Sequence, residues 1–83
     1  MKYRAKIEVS LKPGHSNPEG ETIARLLKEL SYKIQAVDVS KVYTLTFEAP
    51  TLQEASAKAE EMSKRLLANP TKDNYTINVE EQK

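Results

Sequence analysis

An 83-residue chain with no cysteine, one histidine and a formal net charge of +1 has few chemistries open to it. Composition excludes disulfides, thiol nucleophiles, thiolate metal sites and clustered imidazoles, and the near-balanced 30% of charged residues points to neither nucleic acid nor an acidic ligand. The length suits one domain over residues 1–83, and so short a chain buries only about 60–65% of the surface its unfolded form exposes, which makes self-association an expected source of stability.

Residues 2–11 alternate cleanly. Tyr3, Ala5, Ile7, Val9 and Leu11 share one face, and Lys2, Arg4, Lys6, Glu8 and Ser10 share the other, as in a half-buried strand. Lys12-Pro13-Gly14-His15-Ser16 breaks the pattern and reads as a turn. Asn17-Pro18-Glu19 then opens a helix, with Asn17 as N-cap, Pro18 at the first helical position and acids in the first turn. Gly20 in that turn costs about 1 kcal/mol against alanine. Ile23, Leu26, Leu27 and Leu30 supply a stripe expected to be buried in the core, and Ser31 marks the end.

Two strands are expected next. The first lies within Lys33–Val39, with Val37 and Val39 in phase, and the second runs through Tyr43, Leu45, Phe47 and Ala49 to Pro50 after a turn at Ser40-Lys41. Thr51 and Glu54 form a capping box for a second helix, whose stripe is Leu52, Ala55, Ala59, Met62 and Leu66. Glu54–Lys58, Glu60–Lys64 and Glu61–Arg65 pair along its outer face, each worth roughly 0.3–0.5 kcal/mol. Asn69 in a left-handed conformation and Pro70 end it. Thr71 to Asn74 form a polar loop, Tyr75, Ile77 and Val79 mark the last strand, and Glu81-Gln82-Lys83 are expected to fray.

The order β-α-β-β-α-β predicts an α+β two-layer sandwich: an antiparallel four-stranded sheet with both helices on one face, the ferredoxin-like order being favoured by right-handed crossovers. RNA-recognition modules share this order, but they stack bases on aromatics of the open sheet face. Tyr3, Tyr43, Phe47 and Tyr75 all fall in phase with the aliphatic residues, so nucleic acid is not an expected partner. The open face reads Lys2, Arg4, Lys6, Thr44, Thr46, Thr76 and Asn78, with Glu8, Glu48 and Glu80 available for cross-strand pairing. Lys12-Pro13-Gly14 lacks the glycine spacing of a nucleotide loop. His15 stands in a turn with no acid or nucleophile at a meaningful spacing. No catalytic, cofactor or metal site is expected in the chain. No apolar run approaches a membrane span and no signal-peptide core opens the sequence, so a cytoplasmic protein is expected. The loop tips Pro13, Gly14, His15 and Asn17, together with Ser40 and Lys41, lie beside strand ends without a core role and are the candidate partner contacts.

Several segments carry a resemblance across essentially the whole chain. They are Met1-Lys2-Tyr3-Arg4-Ala5, Val9-Ser10-Leu11-Lys12, Asn17-Pro18-Glu19-Gly20, Leu30-Ser31-Tyr32, Glu61 through Pro70, and Tyr75-Thr76-Ile77. Together they resemble PurS, the small subunit of phosphoribosylformylglycinamidine (FGAM) synthase, with Leu66-Leu67-Ala68-Asn69-Pro70 the most specific piece. The family usually has Gly where Ser31 stands, and Gly-Lys plus an aromatic near Ser40-Lys41-Val42. The resemblance implies a non-catalytic subunit of an enzyme of de novo purine synthesis. That enzyme converts formylglycinamide ribonucleotide, glutamine and ATP to formylglycinamidine ribonucleotide. The implied partners are a glutaminase subunit and a synthetase subunit that uses ATP and Mg, and the implied state is a homodimer or higher homo-oligomer. A small-molecule-sensing regulatory module of the same element order is the alternative reading.

Overall fold

β1 (Lys2–Leu11) is the spine of the molecule, and it alternates as its sequence dictates: Tyr3, Ala5, Ile7 and Val9 are buried and their neighbours face solvent. The structure, a computed structural model, describes residues 1–15 and 17–82, so Ser16 of the expected turn and Lys83 of the expected frayed end lie outside the described residues. β1 is flanked on both sides by antiparallel partners, β2 (Lys41–Glu48) and β3 (Asp73–Gln82), in the order β2-β1-β3. The register sets Ile7 between Tyr43 and Ile77, and Ala5 between Leu45 and Val79. Ile7 is fully enclosed, and burial of a side chain of that size stabilises by about 1.5–3 kcal/mol.

α1 (Pro18–Glu29) joins β1 to β2, and α2 (Leu52–Met62) joins β2 to β3. α2 continues directly into a π-helical turn over Ser63–Leu67. α2 lies on β1 and β3, burying Ala55 and Ala59 completely. Tyr3, Ala49 and Ala55 close one end of this core, while Ala5, Ile7, Val9, Ala59 and Ala68 form the rest. No helix among the described residues is long and apolar enough to cross a membrane.

The four-stranded sheet with two helices on one face is not what the chain forms. The sheet has three strands, and residues 33–40 are irregular. Their alternation is real, since Val37 and Val39 are half-buried, but the segment packs on the first turn of α1 instead of pairing with a strand. Asn17 Nδ2 donates to the Val39 carbonyl at 3.2 Å, and the Val37 carbonyl lies against Gly20. Nor does α1 take the place beside α2. The radius of gyration is 16.5 Å, where a compact chain of this length has about 12 Å, and the long axis measures 52 Å. A ten-residue strand of about 33 Å followed by a twelve-residue helix of about 18 Å fills that length, so α1 prolongs the sheet instead of covering it.

The second helix departs from its expected stripe at one point. Ser63 is fully buried and its hydroxyl donates to the Ala59 carbonyl at 2.8 Å, beside a π turn closed by Ala68 N–H to Ser63 C=O at 2.9 Å. The wider winding delays the return of the core face by about one residue. Leu67 and Ala68 therefore pack inward, while Leu66, expected in the stripe, is 84% exposed. Leu52 is also exposed, and Met62 is half-buried. Asn69 is not left-handed. The turn instead closes with Asn69 N–H on the Asp73 carboxylate and Thr71 N–H on Asn69 Oδ1, both at 2.9 Å. β3 starts at Asp73 and runs to Gln82, since Glu81 and Gln82 pair with Tyr3 and Lys2 instead of fraying.

Candidate functional site

The turn after β1 and the segment before β2 meet at the root of α1. Lys12 anchors the turn, its N–H donating to the Lys72 carbonyl at 2.7 Å and its ammonium to the Pro70 carbonyl at 2.9 Å. Gly14 has φ +90°, a left-handed conformation that a glycine adopts without steric cost. Asn17 caps α1 by accepting from the Gly20 N–H at 3.0 Å, and its amide nitrogen holds Val39 as described above. Ser40 donates to the Glu8 carboxylate at 2.9 Å, tying the approach to β2 onto β1.

Of the six residues singled out from the sequence, Pro13, Gly14, His15, Asn17 and Ser40 converge on one open cavity of about 540 Å³ that Glu8 and Asp38 also line. Lys41 faces a neighbouring cavity with Tyr43 and Leu67. The six are therefore one locality, not two loop tips. Asn17 and Ser40 also hold the root together, a role the sequence reading assigned only in part. Among the described residues no three side chains of the metal-ligating types come together.

A second polar cluster lies on the covered face of the sheet. The Tyr75 hydroxyl donates to Glu60 Oε1 at 2.6 Å, and Lys64 Nζ stands 3.4 Å from the same oxygen. The hydrogen bond from Tyr75 holds the Glu60 carboxyl below its usual range, Lys64 adding to the effect, and Glu60 in turn pushes the Tyr75 hydroxyl up. This ties α2 to β3. Glu61–Arg65 pairs at 3.0 Å as expected, and Arg25–Glu29 pairs on α1 at 3.6 Å, whereas Glu54–Lys58 is not among the ion pairs of the described residues.

Sequence reasoning missed two exposed apolar surfaces. Ile23, Leu26 and Leu30 of α1 are 37%, 47% and 68% exposed, because the helix lies off the sheet. On the sheet, α2 leaves the inner face of β2 (Tyr43, Leu45 and Phe47) only half covered. Leu45, Met62, Leu66 and Leu67 line an apolar groove of about 330 Å³ there. The opposite face is polar: the register sets Lys2 beside Glu48 and Arg4 beside Glu80, while Glu8 lies between Val42 and Thr76.

A small α+β chain with a tied loop junction and exposed apolar helix and sheet faces has the kind of surface found on interaction and assembly proteins. Comparison with known proteins gives the particular family. The model of the family "PurS: Phosphoribosylformylglycinamidine (FGAM) synthase" matches residues 4–81. The PurS subunit of Methanocaldococcus jannaschii is 38% identical over 79 residues, which cover 94% of this chain and 95% of that one. Its crystal structure, described as one of the subunits of formylglycinamide ribonucleotide amidotransferase in the purine biosynthetic pathway, superimposes with a TM-score of 0.84. Thermus thermophilus PurS gives 0.88 at 34% identity over 100% of both chains. A chain of the PurLQS structure from Thermotoga maritima gives 0.86 at 25% identity, covering 96% of this chain and 99% of that one. The chain belongs to the PurS family, whose members are subunits of FGAM synthase in purine biosynthesis.

Proposed function

We propose that this chain is the non-catalytic, self-associating subunit of FGAM synthase that docks the glutaminase subunit against the ATP-dependent synthetase subunit. In this reading the chemistry belongs to the partners. The glutaminase releases ammonia, and the synthetase, using ATP and Mg, consumes it in converting formylglycinamide ribonucleotide to formylglycinamidine ribonucleotide. Free ammonia is lost to water and to protonation, so the two active sites must be held in fixed relation. A docking chain with preformed surfaces achieves this with less entropy lost on assembly. Such an assembly works in the cytoplasm.

The observation that carries the reading is the apolar surface left uncovered on both α1 and the β2 half of the sheet, in a chain similar to one of those in a PurLQS structure. The junction formed by Pro13, Gly14, His15, Asn17, Ser40 and Lys41 is the proposed contact with the larger subunits. It is tied by side-chain hydrogen bonds and lined by polar groups, as the rim of an interface is. Reconstitution of purified glutaminase and synthetase with and without this chain tests the reading. Glutamine-dependent product is expected only when the chain is present, and equal product without it contradicts the proposal.

A further inference from the structure

We infer that the cleft between α1 and the segment returning from it binds a basic α-amino acid laid lengthwise. The side-chain cation lies at the root of the helix and the carboxylate two turns further on. The inference concerns the polar flank of α1 and does not rest on the docking role proposed above.

The fold itself makes the cleft. From Ser31 the chain runs back alongside α1 and is fixed at the helix start in two places. Asn17 Nδ2 holds the Val39 carbonyl, and the Val37 carbonyl packs against Gly20, which has no side chain to keep it off. Between helix and return segment lies an open cavity of about 670 Å³, within the range of small-ligand sites. Ile23, Leu26 and Leu30 take no part in its lining, so the apolar stripe of α1 is not used.

The charges in this cavity fall into two groups. Glu21 and Asp38 stand at the root, since Asp38 lies between the two residues fastened to the first turn. Lys28 stands seven residues beyond Glu21, about 10 Å along the helix axis. Arg25 is already paired with Glu29 at 3.6 Å, whereas Glu21, Asp38 and Lys28 form no ion pair among the described residues. With His15 neutral, the acids Glu21, Glu29 and Asp38 outnumber the bases Arg25 and Lys28 by one, a net charge of −1.

The complementary guest is a short molecule of net charge +1, with a cation at one end, an anion at the other and a stem that Ala24 and Ala36 can cover. A basic α-amino acid has this form. Its side-chain cation meets Asp38 and Glu21, its carboxylate meets Lys28, and its α-ammonium lies beside Glu29. A neutral amino acid leaves Asp38 and Glu21 without a cation, and a phosphate ester is repelled by them. The lining groups are open to water, so each contact contributes little and the affinity is in the millimolar range.

Titration of the isotopically labelled full chain with L-arginine, followed through its amide chemical shifts, tests the inference. Saturable shifts confined to α1 and residues 35–38 are expected, with a Kd on the order of 1 mM. Agmatine, which lacks the carboxylate, and glutamine, which lacks the side-chain cation, should each bind about 5-fold more weakly. Asp38→Asn and Lys28→Gln should each raise the Kd for arginine about 5-fold, and both positions are exposed, so circular dichroism should stay native. Absence of saturable shifts by about 20 mM arginine, or shifts scattered over the sheet, overturns the site. An unchanged Kd in both variants overturns it too, and glutamine binding as tightly as arginine overturns the choice of ligand.

Discussion

Replacing Gly20 by alanine adds one methyl group to the first turn of α1, and the structure predicts that this small change destabilises the protein. Helix propensity alone argues the other way, since alanine in a helix is favoured over glycine by about 1 kcal/mol. Gly20 is buried, however, and a Cβ there would overlap the Val37 carbonyl oxygen and come within 2.9 Å of its carbon. That oxygen belongs to backbone, so residues 36–39 must move as a unit. Their retreat strains or breaks the Asn17–Val39 hydrogen bond, worth about 1 kcal/mol net, and overpacking of this kind costs typically 1–3 kcal/mol. Together these come to about 2–4 kcal/mol, and after the gain in propensity is subtracted a net loss of about 1–3 kcal/mol remains. In a domain of this size each kcal/mol moves Tm by roughly 4–8 °C. Thermal and urea unfolding followed by circular dichroism measure it. A Gly20→Ala chain that melts higher than wild type would show that the return segment yields freely and that the packing argument is wrong.

Ser31 has φ +73° and occupies the left-handed position of a Schellman ending, with Tyr32 N–H on the Leu27 carbonyl at 3.1 Å and Ser31 N–H on the Lys28 carbonyl at 3.0 Å. Ser31→Gly should therefore stabilise by about 1 kcal/mol in urea unfolding, and a loss of stability would contradict the strain. Ile7→Ala, at the centre of the sheet, should cost 2–5 kcal/mol, and a loss below about 1 kcal/mol would remove β1 from its central role. Tyr75→Phe should lower Tm near neutral pH. Glu60 is held below its usual range, so the stability this bond contributes is present above that range and is lost as pH falls through the lowered value. Tyr75 is pushed up, so the same bond is lost at the alkaline end as pH rises through the raised value. The Tm difference between wild type and variant should shrink as pH falls through the acid range in which Glu60 takes up its proton, and a difference independent of pH would mean that the hydroxyl does not bond the carboxylate.

Where structure follows from short-range pattern, the sequence was a reliable guide. β1 alternates from Lys2 to Val9 as expected, with Ser10 and Leu11 both half-buried, and Pro18 opens α1. Asn17 and Thr51 cap their helices by accepting from the Gly20 and Glu54 N–H groups, although the return bond of the expected capping box, from the Glu54 carboxylate to Thr51, is not among the hydrogen bonds of the described residues. Two failures share a cause: a local pattern was satisfied by a different partner. Val37 and Val39 alternate as strand residues do, yet the Val39 carbonyl accepts from Asn17 and the Val37 carbonyl packs against Gly20, both partners from another part of the chain. Leu66 sits at helical spacing from Ala55, Ala59 and Met62, but a buried serine one turn earlier accompanies a π turn that rotates it outward. The candidate site was legible as two loop tips, and their convergence into one junction follows from the antiparallel pairing of β1 with β2. The uncovered stripe of α1 was read as core, because amphipathic periodicity says that a face is buried and not against which molecule.

Mixing purified glutaminase and synthetase subunits and following them by analytical ultracentrifugation, with and without this chain, tests the docking role most directly. The two large subunits are predicted to sediment as one species only when the chain is present and to remain separate in its absence. Co-sedimentation of the two without the chain, under conditions in which glutamine supports turnover, would contradict the account.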